Sequence, residues 1–388
     1  MGGTPSIRVK VAAGVVFAVM LLVLLEVGLA LLPLIGGDRL RRGLLYYPPE
    51  VTREKYEQYL ADRDPIIGWP SPNKSVGGLP VPRMSPAFPA ATDWCVTTYG
   101  ESMTYGDEVS DDDAWGNVLA KRLGCAVGNF GIGGYGTDQA LLRFTANTAD
   151  HAPTTIVGIY VDNLLRNVNQ YRYFLTGGET LALKPRFILE NGKLTLVPIP
   201  NLSYEAFAEG LAEPSTIFPQ DVLAPGSGHG PVIWSFPYTF SLIDLLTGDQ
   251  VTNYVRGVPR WIDFYDRDHE SGALPVTVAI IDEFRRRAAS GKTVIVVLYP
   301  GAPSYELSRE SGQSTFHTLT AELEAHGVPV RDLTADFSTY LGERSFCEVL
   351  VSPGTCSGHY NPEGNRVVAA AMDAFIASVG NRQVTEKQ

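Results

Sequence analysis

From residue 93 onward, short apolar runs alternate with longer amphipathic stretches, and this alternation restricts the fold more than any other feature. Apolar runs of about four to eight residues are typical of buried strands, and apolar residues spaced about 3.6 apart are typical of helices. Parallel strands joined by helices need both faces of their sheet covered. The predicted fold class is therefore α/β, a doubly wound, mostly parallel sheet with helices on both faces. The predicted strands are 95–99, 126–130, 155–160, 293–299 and 328–333, and the predicted helices are 114–123, 137–149, 276–289, 314–326 and 362–379.

The alternation is interrupted between residues 167 and 275. Within this stretch, Asn191-Gly192 lies between two apolar runs and predicts a hairpin with a type I′ turn. An insertion at the carboxyl edge of a doubly wound sheet lies where ligands bind, so we expect a lid or specificity subdomain. The predicted organisation is 1–36 as an N-terminal anchor, 37–92 as a juxtamembrane segment, 93–380 as the α/β domain with the 167–275 insertion, and 381–388 as a tail.

The apolar run from Val11 to Leu32 is interrupted by one charge, Glu26. At about 1.5 Å per residue it spans roughly 33 Å, enough to cross a bilayer. A signal peptide is the alternative, because Arg8 and Lys10 precede the run and Gly28-Leu29-Ala30 offers small residues for cleavage. The run is long for a signal peptide and continues past that point, so we favour an uncleaved single-pass anchor with the domain outside the cytoplasm. Basic residues flank both ends, and the orientation stays open.

The composition is that of a globular protein with a strong acidic balance. The 388 residues are 45% hydrophobic and 19% charged, with a formal net charge of −11. Such a charge repels polyphosphates, and no cluster of basic residues is interleaved with aromatic ones. Nucleic acid is therefore not an expected partner.

The four cysteines do not have metal-ligand spacing. Cys95 and Cys125 lie in apolar, strand-like runs and are predicted to be buried free thiols. Cys347 and Cys356 lie in one loop, and we expect them to form a disulfide in an oxidising compartment.

The predicted first strand ends in Gly100-Glu101-Ser102-Met103-Thr104-Tyr105-Gly106. A serine between small residues, where a strand turns into a helix, presents its hydroxyl at the edge of the sheet. Ser102 is the candidate nucleophile.

A glycine cluster, Asn129-Phe130-Gly131-Ile132-Gly133-Gly134-Tyr135-Gly136, follows the second predicted strand. Its spacing satisfies the dinucleotide pattern G-x-G-x-x-G, but it follows the second strand rather than the first. The nearest acidic residue at a strand end, Asp162, also lies farther along than the pattern requires. The alternative is a tight turn whose N–H groups stabilise an oxyanion.

His359 lies in a loop that opens into the last helix, where it can act as the base for a serine hydroxyl. The five other histidines, including His269 in its polar cluster, are interpreted as surface or capping residues. No second group with matching spacing accompanies them, so no metal site is predicted. The acidic run from Glu108 to Asp113 is interpreted as a solvated face, with Asp113 capping the next helix.

Together these motifs resemble those of the SGNH (GDSL-type) hydrolase family over residues 93–380. The first block is matched by Gly100-Glu101-Ser102, the second by Asn129 to Gly134, and the fifth by His359-Tyr360-Asn361-Pro362-Glu363-Gly364-Asn365. The resemblance implies a Ser102–His359 mechanism with Gly134 in the oxyanion hole, and neither a metal nor an organic cofactor.

Three positions depart from the family pattern. Glu101 replaces the usual Asp of the first block, and the third block has Asp162-Asn163 in reversed order, so Asn163 or Asp162 stands where an oxyanion donor is expected. The fifth block has Cys356 where the orienting Asp usually stands. His359 is then part of a dyad, or is oriented by a backbone carbonyl or by a distant carboxylate such as Asp332 or Asp336.

The resemblance implies a membrane-anchored serine esterase or deacylase acting on an O-acyl ester, with an acylated surface glycan or lipid as the candidate substrate. An O-acyltransferase using the same serine is the first alternative. A non-catalytic glycan- or lipid-binding protein is the second, and a dinucleotide-binding enzyme is the last.

Overall fold

The computed structural model of the chain describes residues 7–35, 44–69, 75–76, 79–178 and 181–385. Its contacts divide the chain into two compact units. The anchor unit lies within Met1–Val51, Tyr173–Thr180 and Leu202–Arg260, and the sheet unit within Thr52–Arg172, Leu181–Asn201 and Trp261–Gln388. Parts of the predicted juxtamembrane segment and residues 386–388 of the predicted tail lie outside the described residues. The domain boundaries proposed from the sequence stay a prediction.

The anchor unit is built mainly from helices. Its first helix, α1, is long and apolar enough over Lys10–Leu34 to cross a membrane, and none of its most apolar window is buried. Two short strands in this unit, β1 and β9, pair in parallel. The elements are α1 Ile7–Ile35, β1 Leu45–Tyr46, α7 Tyr173–Thr176, α8 Tyr204–Gly210, α9 Pro214–Ile217, β9 Val232–Ile233, α10 Tyr238–Thr247 and α11 Asp249–Arg256.

The sheet unit contains the remaining elements. Its helices are α2 Arg53–Asp62, α3 Ser102–Tyr105, α4 Trp115–Leu123, α5 Thr137–Ala146, α6 Asn163–Asn167, α12 Ala273–Arg287, α13 Ala302–Ser311, α14 His317–Ala325, α15 Thr334–Leu341 and α16 Pro362–Thr385, with 3₁₀ turns at Ile262–Tyr265 and Phe346–Val349. Its strands are β2 Ser75–Val76, β3 Leu79–Pro80, β4 Val96–Tyr99, β5 Val127–Asn129, β6 Thr154–Tyr160, β7 Arg186–Glu190, β8 Lys193–Val197, β10 Thr293–Tyr299, β11 Val330–Asp332, β12 Leu350–Ser352 and β13 Ser357–Tyr360.

Five strands form the central sheet in the order β11-β10-β6-β4-β5, and every pair in it is parallel. The middle strands, β6 and β10, are almost wholly buried, as expected for strands covered on both faces. The α/β prediction is confirmed, and β10 has the predicted bounds. Because the strands run in parallel, the ends of β4, β5 and β6 lie at one edge, where the candidate site is built.

The hairpin β7–β8 confirms the predicted turn, since Asn191 and Gly192 both have positive φ, at 52° and 75°. The predicted cap at Asp113 is wrong. The N-cap of α4 is Ala114, and the carboxylate of Asp113 accepts a hydrogen bond from Ser110 instead. A short polar side chain that can bond within its own turn does not need to cap the next helix.

Both cysteine pairs form disulfides. The bridge Cys347–Cys356 confirms the prediction, whereas Cys95 and Cys125 are bonded to each other and are not free thiols. The reason lies in strand pairing: Val96 of β4 is in register with Val127 of β5, so the residues just before the two strands are neighbours, with Cα atoms 6.1 Å apart. Sequence separation alone does not reveal this proximity.

Candidate active site

Ser102 is the first residue of α3, directly beyond the end of β4. The turn is tight: a Cβ on Gly100 would lie 2.2 Å from Oγ1 of Thr104, so only glycine fits there. The first N–H groups of a helix have no partner within the helix, and here the N–H of Met103 donates to the side chain of Glu101. Ser102 therefore lies at the edge of the sheet, as predicted from the sequence.

Glu101 caps α3 from a fully buried position. Its carboxylate accepts the N–H of Met103 at 2.5 Å and lies 3.4 Å from Oγ1 of Thr104. Burial raises the pKa of Glu101 to about 7, against the opposing effect of Arg166. Glu101, which stands where the family pattern has aspartate, thus caps the helix with a buried side chain.

The glycine turn after β5 packs against α3. A Cβ on Gly131 would lie 2.6 Å from the backbone nitrogen of Tyr105, and the N–H of Ile132 donates to the carbonyl of Gly100. Asn129 ties the two segments together, because its side-chain amide donates to the carbonyl of Thr104 at 2.9 Å. The turn predicted from the sequence therefore lies beside the candidate nucleophile.

Gly134 has a backbone conformation that side chains rarely adopt, with φ of 78°. Its carbonyl accepts a hydrogen bond from Arg172 at 2.7 Å, and a Cβ would lie 2.4 Å from that guanidinium nitrogen. A peptide is planar, so fixing this carbonyl also fixes the N–H of Tyr135 in the same peptide, which donates to the carbonyl of Ile132. Glycine is needed here for the conformation, and an added Cβ would also displace the guanidinium of Arg172.

The glycine cluster is not arranged to hold a dinucleotide. In such sites the free N–H groups at a helix start bind the pyrophosphate. At the start of α5, the N–H of Gly136 already donates to Gln139, and the N–H of Thr137 donates to the side chain of Asn167 at 2.8 Å. The protein's own side chains take the place that phosphate oxygens would need.

His359 is held by the residues that follow it. The hydroxyl of Tyr360 is buried and donates to the carbonyl of Pro300 at 2.5 Å. The side chain of Asn361 accepts the N–H groups of Glu363 and Gly364 at the start of α16. The residues after His359 thus supply a helix cap and a buried hydrogen bond, and together these fix the end of the strand β13.

The imidazole of His359 is paired with Glu108. Nδ1 of His359 lies 2.5 Å from Oε2 of Glu108, and the backbone N–H of His359 donates to the same oxygen at 3.0 Å. These two bonds hold the pKa of Glu108 below its usual value. Glu108 has a positive φ of 65°, an uncommon conformation for a residue with a side chain, which is often found at functional sites.

A distant carboxylate was one of the alternatives for the partner of His359, and the structure has one in Glu108. The two examples suggested from the sequence, Asp332 and Asp336, are wrong, because both are engaged elsewhere. Asp332 accepts hydrogen bonds from Ser314 and from the N–H of Thr334, and Asp336 is paired with Arg331. Cys356 is in a disulfide. Glu108 is exposed, as expected for a solvated acidic run, but it also pairs with His359, and local pattern does not reveal a contact across 251 positions.

Arg83 holds the turn that carries Glu108, and sequence reasoning missed both residues. Its buried guanidinium donates to the carbonyls of Tyr105, Gly106 and Val109 at 2.9, 2.6 and 2.7 Å. It also pairs with Asp111 at 2.7 Å. An arginine can satisfy several carbonyls at once because its donors are fixed in a planar fork. The one sequence signal was an acidic run directly after the serine helix.

Ser102 and His359 come from neighbouring elements, since α3 packs against β13. In the described part of the chain, no direct hydrogen bond joins the Ser102 hydroxyl to the imidazole. Hydrogen bonds of this kind are often long in unliganded sites and shorten when substrate binds.

The two candidates of the third block have different environments. Asp162 is partly exposed and paired with Arg166 at 2.9 Å. Asn163 is fully buried; its amide nitrogen lies 3.4 Å from Oγ1 of Thr137, and its amide oxygen has no partner among the described residues. Arg166 thus neutralises the carboxylate that would otherwise oppose a developing oxyanion.

Among known proteins, similarity to this chain was found in solved structures. No family model matches the chain, and no curated protein matches it. One similar structure is a putative lipolytic protein of the G-D-S-L family from Desulfitobacterium hafniense DCB-2, with 10% identity, a TM-score of 0.31, and coverage of 72% of this chain and 98% of that one. Another is a member of the lipolytic protein G-D-S-L family from Veillonella parvula DSM 2008, with 12% identity, a TM-score of 0.32, and coverage of 71% and 94%.

Proposed function

We propose that the chain is a serine ester hydrolase in which Ser102 is the nucleophile, His359 is the base and Glu108 positions the imidazole. The observation that carries the proposal is the Glu108–His359 pair beside the helix that begins at Ser102. A carboxylate bonded to Nδ1 leaves Nε2 as the acceptor for a serine proton. No metal is needed for this chemistry.

In this mechanism Ser102 Oγ attacks the carbonyl carbon of the ester, and His359 takes the hydroxyl proton. The backbone N–H groups of Ser102 and Gly134 receive the oxyanion, with Asn163 as the candidate side-chain donor. The imidazolium then gives its proton to the departing alcohol. Water, activated by the same imidazole, cleaves the acyl-enzyme and releases the acid and free Ser102.

The two disulfides favour an oxidising compartment outside the cytoplasm for the sheet unit. Together with the apolar helix α1, they support a membrane-anchored enzyme that meets its ester at the cell surface. The candidate substrate is an O-acylated glycan or lipid.

The test is acyl release from short-chain esters and O-acetylated glycans by the full chain in detergent. Wild type is compared with Ser102→Ala and His359→Ala, and we expect release by wild type alone. Equal release by all three would reject the mechanism. Adding an unacylated glycan acceptor and following its mass distinguishes hydrolysis from transfer, since a transferase would move the acyl group onto the acceptor.

A further inference from the structure

The carboxylate of Glu26, inside the apolar span of α1, is bound by the start of α10. It accepts the backbone N–H of Tyr238 at 2.6 Å and that of Thr239 at 3.1 Å, together with the hydroxyl of Thr239. A charged group in hydrocarbon is costly unless polar groups surround it, and a helix N-terminus offers unpaired N–H donors and a favourable dipole. The charge that interrupts the span thus has a dedicated partner in the same unit.

One face of α10 is apolar and exposed. Phe240, Ile243 and Leu246 lie on one face at helical spacing, and their side chains are 65%, 50% and 57% exposed. The buried side of the helix is formed by Ser241 and Leu245. The one carboxylate of the helix, Asp244, is also exposed and lies at the margin of this face. Water-exposed helices seldom present such a row of large apolar side chains.

The position of Glu26 along α1 sets the depth of this contact. The candidate span ends at Leu34, eight residues after Glu26, and eight residues of helix measure about 12 Å. The hydrocarbon core of a bilayer is about 30 Å thick, so Glu26 and the start of α10 lie inside it when Leu34 lies at its boundary. The side chains of α1 around this contact are themselves exposed and apolar, including Leu21, Leu22 and Leu24.

We propose that α10 is a second membrane-embedded element, which packs on α1, caps Glu26 with its N-terminus and presents Phe240, Ile243 and Leu246 to the acyl chains of the bilayer. The occupant of the apolar face is lipid. The cap also explains how the span can carry an acidic residue: the carboxylate of Glu26 has hydrogen-bond donors and is not left unpaired in the hydrocarbon. It makes α1 a retained part of the folded unit rather than a segment removed after export.

The test places a nitroxide label on this face in the full chain, reconstituted in phosphatidylcholine vesicles. The four native cysteines are all in disulfides, so a cysteine introduced by Ile243→Cys or Leu246→Cys is the site that reacts. Val15→Cys on the span is the lipid reference. Ile66→Cys is the matched water reference, because Ile66 is an isoleucine of the sheet unit that is 61% exposed.

Collision with oxygen, which dissolves in lipid, is compared with collision with a water-soluble nickel complex. We expect the oxygen-to-nickel ratio at 243 and 246 to match that at 15 and to exceed that at 66 severalfold. A ratio at 243 equal to that at 66 would place the helix in water and overturn the proposal. Low access to both reagents would indicate a protein partner, such as a second copy, and would overturn it as well. The readout does not depend on ester cleavage, so it is independent of the proposed function.

A second variant tests the cap. In a Glu26→Leu chain, the spectrum of the label at 243 should report greater mobility, because α10 has lost the contact that holds its start. Glu26→Gln keeps a side-chain oxygen as acceptor and should give a smaller change. An unchanged spectrum in Glu26→Leu would show that Glu26 does not hold the start of α10, and would overturn the proposal.

Discussion

Nδ1 of His359 lies 2.5 Å from Oε2 of Glu108, although 251 positions separate the two residues. The same carboxylate oxygen also accepts the backbone N–H of His359, so Glu108 fixes both the strand and the ring. Because the bonded nitrogen is Nδ1, the other ring nitrogen, Nε2, is not used by this pair. In the proposed mechanism, Glu108 takes the role of the carboxylate that orients the imidazole.

Replacing Glu108 with Gln should lower kcat/KM by about 10²- to 10⁴-fold, since an amide can present its N–H to Nδ1 and favour the wrong tautomer. Glu108→Asp keeps a carboxylate for Nδ1 and should recover part of the rate. Asp112→Asn is the control from the same acidic run, where Asp112 pairs only with Lys121 in the described structure. A Gln variant with the kcat/KM of wild type would remove Glu108 from the mechanism.

Replacing Ser102 with Ala should lower acyl release by a factor on the order of 10⁴ or more. No hydrogen bond of the described residues ends at the Ser102 hydroxyl, so the free energy of unfolding should change by less than about 0.5 kcal/mol. The check is labelling by a fluorophosphonate followed by intact mass, with urea unfolding alongside. Labelling of the Ala variant at the wild-type rate would show that another residue is the nucleophile.

Glu101 should make stability depend on pH in a direction unusual for an acid. Burial raises its pKa from 4.5 to about 7, so between these values the folded protein keeps a proton that the unfolded chain has lost. The stability contributed by the protonated acid is complete below pH 4.5 and is lost as pH rises through about 7. The loss is about 3 kcal/mol at most, at 1.36 kcal/mol per pH unit.

The variant Glu101→Gln keeps an oxygen for the N–H of Met103 and does not ionise. Relative to wild type, it should therefore become more stable at pH 8 than at pH 5, as measured by urea unfolding. The difference between the two proteins, rather than either curve alone, isolates the contribution of Glu101 from that of the other ionisable groups. A constant difference across this range would mean that Glu101 ionises in the folded state with an ordinary pKa.

Replacing Gly134 with Ala should reduce both activity and stability. The positive φ costs about 1–2 kcal/mol for a residue with a side chain. In the proposed mechanism the N–H of Gly134 receives the oxyanion, so straining this turn should lower kcat by about 10²- to 10³-fold. Gly124→Ala is the matched control, because Gly124 has φ of 69° but nothing within 4 Å of an added Cβ. If both variants lose stability equally and neither loses activity, Gly134 is structural only.

The strand–helix alternation by itself determined the fold class. Buried parallel strands must be apolar and must be joined by helices, so they can be recognised from short stretches of sequence. The strand β10, for example, has the bounds that were predicted for it. Local chemistry also placed Ser102 at a strand-to-helix turn, the glycine turn after β5 and His359 before the last helix. Each of these depends on neighbours within a few residues.

Only the tertiary structure decided what supports those groups. Glu108, Arg83 and the bridge between Cys95 and Cys125 depend on which strands pair and on which turns meet at the sheet edge. The contact of Glu26 with the start of α10 is of the same kind, joining positions 213 residues apart at Thr239. Hydrogen bonds and disulfides form between atoms close in space, and a sequence pattern reports spacing along the chain but not which distant segments the folded core brings together.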